Sequence, residues 1–140
     1  MKNIKLKAVV LFILMLGILP VQSQYFTEKP RVFVLTDIEN EPDDAQSLVR
    51  FLTYSNMWDV EGIVATTSCW QRDKTAEWRI HEIVDAYGKI RDNLEKHESG
   101  YPEYEYLKGI IKVGVSKFGM TGVGEGQDSE GSEWLIKALE

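Results

Sequence analysis

The chain has 140 residues, 22 acidic and 16 basic, for a formal net charge of −6, and 44% of its residues are hydrophobic. That apolar share excludes wholesale disorder, and the acidic balance argues against a general nucleic-acid binder, which needs a basic face. A single cysteine excludes an internal disulfide framework and a multi-cysteine zinc module.

Lys2, Lys5 and Lys7 precede an uncharged apolar run from Ala8 to Leu19, then Pro20 and Val21-Gln22-Ser23. This is the pattern of a bacterial secretory signal peptide, residues 1–23, cut between Ser23 and Gln24. The run is shorter than the roughly 20 residues that span a bilayer. The expected product, residues 24–140, is secreted or periplasmic and free of the membrane. It is also more acidic, because residues 1–23 carry three lysines and no acid. Cys69 reads as a buried small hydrophobe rather than a reactive thiol.

Val32-Phe33-Val34-Leu35 is rich in β-formers and reads as a buried strand. Pro42 suits the first turn of a helix, and Ala45, Leu48, Val49 and Leu52 keep helical spacing to about Tyr54. Val60 to Thr66 is a second strand. Asp73 is placed to cap a long helix with Trp78, Ile80, Ile83, Val84, Tyr87 and Ile90 inward, weakened or bent at Gly88. Trp58 and Trp78 are expected in the core. Tyr104 to Val115 reads as a helix through Ile110 and Ile111. Gly119 to Gly131 holds five glycines and reads as a loop, without the Lys-Ser/Thr ending of a phosphate-cradling loop. Ser132 to Glu140 is a last helix with no stop signal.

Strand, helix, strand, helix implies an α/β fold with a mostly parallel, Rossmann-like open sheet flanked by helices. Two strands do not complete such a sheet, so the expectation is the N-terminal portion of a larger domain.

Five of the eight residues from 37 to 44 are acidic: Asp37, Glu39, Glu41, Asp43 and Asp44. They fall between a strand and a helix, at the carboxyl strand end where open α/β sheets place ligands. Close carboxylates either raise some pKa values or bind a cation, and oxygen ligands without His or Cys suit calcium or magnesium. Helix caps and solvated loop acids are the alternative. Trp70, after the second strand, either stacks on a sugar ring or packs at a loop base.

The stretch VFVLTDIENEPDDAQSLVRFL (32–52) resembles the opening motif of nucleoside hydrolases, and GIVATTSCWQRDKT (62–75) resembles that family's second strand and next helix start. TDIENEPDD, with the later SGYP and GVGEGQDSEGS, looks most like the nucleoside-hydrolase-like domain of secreted bacterial proteins described as cellulose-binding. The resemblance implies that Asp37 binds calcium and deprotonates the attacking water, that Asp44 is a second calcium ligand, and that Asp43 grips a ribose hydroxyl. It implies hydrolysis of a glycosidic bond in a nucleoside or other sugar substrate. It also implies that the glycine-rich segment is either a lid or a plain connector.

Two departures bear on this. Five residues, Ile38 to Pro42, separate Asp37 from the Asp43-Asp44 pair where the family has three. Cys69 stands where the family has a sugar-binding Asn, and a thiol does not both donate and accept as an amide does. Two functions are therefore expected of the chain: a calcium-dependent exported hydrolase, or a domain that binds cellulose or other plant polysaccharide without turnover. An inactive fragment is the third alternative.

Overall fold

The computed structural model describes residues 28–140, so the signal-peptide assignment lies outside the described residues. The fold is α/β, as expected. Strand β1 spans Arg31–Thr36, helix α1 Pro42–Thr53 and strand β2 Asp59–Ala65. Helix α2 spans Glu77–Glu95, α3 Tyr104–Gly109, strand β3 Ile111–Val113 and helix α4 Glu130–Leu139. Short 3-10 turns lie at Ser55–Met57 and Gly119–Gly122.

The three strands form one parallel sheet in the order β1-β2-β3. The β1–β2 register runs from Arg31 opposite Asp59 to Thr36 opposite Ala65, and it slips at Glu61, which has no partner. Gly62 follows the slip because Phe33 crosses it: a Cβ there would lie 2.5 Å from the Phe33 ring.

Alternation along β2 decides which helix covers which face. Ile63 and Ala65 join the core with Leu48 and Leu52 of α1 and with Ile80, Val84 and Tyr87 of α2. Val64 faces the other way, where Gly131 of α4 approaches so closely that a Cβ would lie 2.5 Å from Val64 Cγ1. Helices on both faces are what a parallel sheet requires.

Several expectations need correction. The helix expected over 104–115 stops at Gly109, and Ile111–Val113 is the third strand. The Ile110 amide closes the last helical turn on the Tyr106 carbonyl, while the Ile110 carbonyl accepts from Ile63. Ile110 therefore ends the helix and joins the sheet, and the β-branched residue after it extends along β2.

Helix α2 begins at Glu77, with Ala76 rather than Asp73 at its N-cap. Buried Ala76 fixes where the helix meets the core, and its carbonyl accepts from Arg79. From that start Ile80, Val84 and Tyr87 make the inward stripe, which leaves Trp78 and Ile90 exposed. Trp78 instead stacks against the Arg79 guanidinium, 4.7 Å from the ring centroid. Trp58 does pack against the core. Gly88 neither breaks nor ends α2. It makes room for Tyr104, whose Cδ2 would lie 2.7 Å from an added Cβ. Cys69 is exposed, not buried, because it follows the end of β2 in a surface loop.

Helix α4 starts at Glu130, earlier than expected. Ser129 Oγ accepts from the Ser132 amide at 3.1 Å, and Ser132 Oγ accepts from the Ser129 amide at 2.8 Å. This reciprocal cap makes a firm helix start after the glycine-rich segment. No helix among the described residues is long and apolar enough to cross a membrane.

Candidate functional site

Strand β1 ends at Thr36, so Asp37 is the first residue beyond the carboxyl edge of the sheet. The next residue, Ile38, is 1% exposed and belongs to the core. Ile38 thus anchors the acidic loop from below. Glu39 adopts a left-handed backbone, φ 71°. That conformation costs a non-glycine residue about 1–2 kcal/mol, and burying an isoleucine returns about 1.5–3 kcal/mol, so the anchored loop is favoured. Two contacts hold Glu39 in place: its carbonyl accepts from Gln71 Nε2 at 2.6 Å, and its carboxylate pairs with Arg79.

The five acids do different work. Glu39 turns to Arg79 of α2. Glu41 is the N-cap of α1, and its amide donates to Asp44 Oδ2 at 3.0 Å. Asp43 and Asp44 both lie in the first turn, where the helix dipole favours anions. Asp43 is exposed. Asp37 and Asp44 together line one cavity of about 250 Å3, with Thr36 and Ser47 as further polar neighbours and Val34, Leu48 and Phe51 as its apolar wall. The two extra residues between Asp37 and the Asp43-Asp44 pair still leave Asp37 and Asp44 lining one cavity. Asp43 does not line that cavity.

A second loop completes the site. β2 ends at Ala65, and Ser68, Cys69 and Trp70 follow in the loop that leads to α2. Ser68 Oγ donates to Asn40 Oδ1 at 2.6 Å, and the Trp70 amide donates to Ser68 Oγ at 3.3 Å. Asn40 in turn donates from its side-chain amide to the Asp37 carbonyl, and its backbone amide donates to the same oxygen at 3.1 Å. An unbroken hydrogen-bonded path therefore runs from Asp37 to Trp70. Trp70 is 70% exposed, so it does not pack at a loop base.

Asn40, Ser68, Gln71 and Arg79 were not singled out by sequence reasoning. Asn40, three residues after Asp37, has the spacing of a side chain that folds back onto the turn, and that was the available signal. The Glu39–Arg79 ion pair joins residues 40 apart in the chain, and no local pattern announces it.

The donor set fits a hard cation in part. Calcium takes six to eight oxygens, and Asp37 and Asp44 offer carboxylates to one cavity, one Asp44 oxygen being engaged by the Glu41 amide. Among the described residues no group of three or more His, Cys, Asp or Glu is arranged to hold a metal. The pair can supply two ligands, with the remainder from carbonyl, water or sugar oxygens.

Residues 31–140 match the model of a family described as cellulose-binding Sde182, nucleoside hydrolase-like domain. Among solved structures, the chain is similar to a nucleoside hydrolase-related hypothetical protein from Saccharophagus degradans that is associated with carbohydrate metabolism. The two share 41% identity with a TM-score of 0.77, and the match covers 81% of this chain and 28% of that one. The chain thus spans well under a third of that protein's length. No curated protein matches it.

Proposed function

Because the chain belongs to the Sde182 nucleoside hydrolase-like family, we propose that it binds carbohydrate at the carboxyl end of its parallel sheet. The observation that carries this reading is the tie from Asp37 through Asn40 and Ser68 to an exposed Trp70. It fixes the backbone that carries an exposed indole next to a polar, acidic loop. A pyranose needs that combination, since its C–H faces stack on aromatic rings while its hydroxyls seek carboxylates and amides.

In this reading Trp70 stacks on a sugar ring, and exposed Asp43 accepts from a sugar hydroxyl. Asp37 and Asp44 hold a divalent cation, calcium by the hardness of the donor set. When bound, the cation supplies positive charge that orients sugar or water oxygens. Residues 1–23 direct export, which brings the domain to plant polysaccharide outside the cell.

A second reading, glycosidic-bond hydrolysis, is supported by the Asp37–Asp44 pair in one cavity. Asp37 there accepts a proton from water as the water oxygen bonds to the anomeric carbon. The glycosidic bond breaks with its electron pair going to the leaving group, which takes up a proton from solvent. Cys69 at the family's amide position weighs against efficient turnover of nucleosides, because a thiol cannot both donate and accept strongly.

Pull-down on insoluble cellulose, run beside turnover assays on nucleosides and aryl glycosides, separates the readings. Retention on cellulose with no turnover supports binding. Turnover abolished by Asp37→Ala supports hydrolysis. Neither retention nor turnover rejects both.

A further inference from the structure

We infer that Phe118 forms a second aromatic platform on the rim that carries Trp70, so that the site takes an extended β-linked glucan chain rather than a single sugar. The inference rests on the carbohydrate-binding reading above.

Phe118 lies in the loop between β3 and α4 and is 41% exposed. Its position is held by the loop that bears Trp70. The Phe118 amide donates to the Arg72 carbonyl at 2.9 Å, and Thr67 Oγ1 donates to the Lys117 carbonyl at 3.3 Å. The Arg72 side chain bridges the two rings' surroundings. Its Nε donates to the carbonyl of Cys69, next to Trp70, at 3.1 Å, and its guanidinium lies 5.4 Å from the Phe118 ring centroid. Two loops from two strands thus present exposed aromatic residues, and Arg72 ties the backbone beside Trp70 to the Phe118 ring.

The surroundings of Phe118 suit a sugar as well as the ring does. Lys117 lines a neighbouring cavity of about 380 Å3 together with Ser116, Gln127, Asp128 and Ser129. Lys117 Nζ donates to Gln127 Oε1 at 3.1 Å, which holds two hydroxyl-binding groups in place. An all-equatorial β-linked glucan has C–H-rich ring faces and hydroxyls along its edges. Such a chain meets an aromatic face and a polar flank at each platform. A nucleoside or a single sugar fills one platform and leaves the other bare.

The test is calorimetric titration of the protein with cellobiose and cellohexaose, using the parent, Trp70→Ala, Phe118→Ala and Phe118→Tyr. Cellohexaose is expected to bind the parent more tightly than cellobiose does. Phe118→Ala is expected to weaken cellohexaose roughly tenfold, the value of one aromatic contact, while cellobiose binding changes little. Phe118→Tyr, which keeps the ring face, is expected to retain both. Phe118→Leu replaces Phe118→Ala if the latter lowers the melting temperature. Unchanged cellohexaose affinity in the Phe118 variant, with loss in Trp70→Ala, overturns the second platform and leaves the carbohydrate reading standing. No binding of either sugar by the parent overturns both.

Discussion

Ser68 donates its hydroxyl proton to Asn40 Oδ1 at 2.6 Å, and with the Gln71–Glu39 bond it ties the loop after β1 to the loop after β2. Among the described residues Ser68 is one of two buried polar side chains, at 9% exposure, so its end of the bond is shielded while half-buried Asn40 reaches solvent. Asn40 spends its amide nitrogen on Asp37, and Ser68 accepts from Trp70. The acidic loop and the aromatic loop are therefore tied through side chains as well as through the sheet.

Breaking that bond is expected to loosen the site without unfolding the sheet. Ser68→Ala leaves Asn40 Oδ1 without its partner and should cost about 1–3 kcal/mol of stability. Denaturant unfolding measures the cost, and cellulose retention should fall alongside. An unchanged midpoint with unchanged retention would show that the Ser68–Asn40 bond does not hold the site together.

The cation hypothesis is motivated by Asp37 and Asp44 lining one cavity. Calcium is expected to raise the melting temperature of the protein, and Asp37→Asn should abolish the rise. Asp37 is the better variant to test, because Asp44 also caps α1 and its loss would destabilise the helix directly. A calcium-linked shift that persists in Asp37→Asn would place the ion elsewhere.

At Gly88 propensity and packing pull in opposite directions. Alanine in a helix interior gains about 1 kcal/mol over glycine. Here, however, the new Cβ would lie 2.7 Å from Tyr104 Cδ2, and overpacking costs about 1–3 kcal/mol. Gly88→Ala is expected to destabilise on balance, and adding Tyr104→Ala should remove the clash component. Stabilisation by Gly88→Ala alone, read from the urea midpoint, would mean that the Tyr104 ring shifts freely.

Asp85 links acid stability to the α2–α3 contact. Lys108 Nζ donates to its carboxylate at 2.8 Å and the Tyr104 hydroxyl at 2.8 Å, and these bonds, the lysine's first, hold its pKa below the ordinary carboxylate value. A lowered folded pKa means that the contribution is complete above the unfolded value of about 3.9. It is lost as pH falls through the folded value. Asp85→Asn should flatten the fall in urea midpoint below that pH, relative to the parent. Parallel curves for the two proteins would remove Asp85 from the acid response.

The fold was legible where short-range chemistry is decisive. Val32 to Leu35, rich in β-formers, is a strand as expected but not a buried one, since Leu35 is 64% exposed and the other three are half-buried. Pro42 with the Leu48–Leu52 spacing marks a helix start and an inward stripe. Ile110-Ile111 was misread because a short apolar run suits a helix end and a strand equally, and only the Ile63–Ile110 bond decides. Asp73 was favoured as a cap on residue type, while buried Ala76 set the boundary through tertiary packing. In the site, the acids announced themselves by density. Their division of labour did not, because Glu39–Arg79 and Asn40–Ser68 join residues distant in the chain. Periodicity carries no information about contacts between loops.

The central claim is that carbohydrate binds where Trp70 and the acidic loop meet. Amide and indole NMR shifts of the 15N-labelled protein, followed during titration with cellohexaose, test it most directly. Saturable shifts at the Trp70 indole and at the Asn40 and Ser68 amides are expected, with the Trp134 indole on α4 unmoved. No shifts, or shifts confined to Trp134 and its neighbours, would contradict the claim.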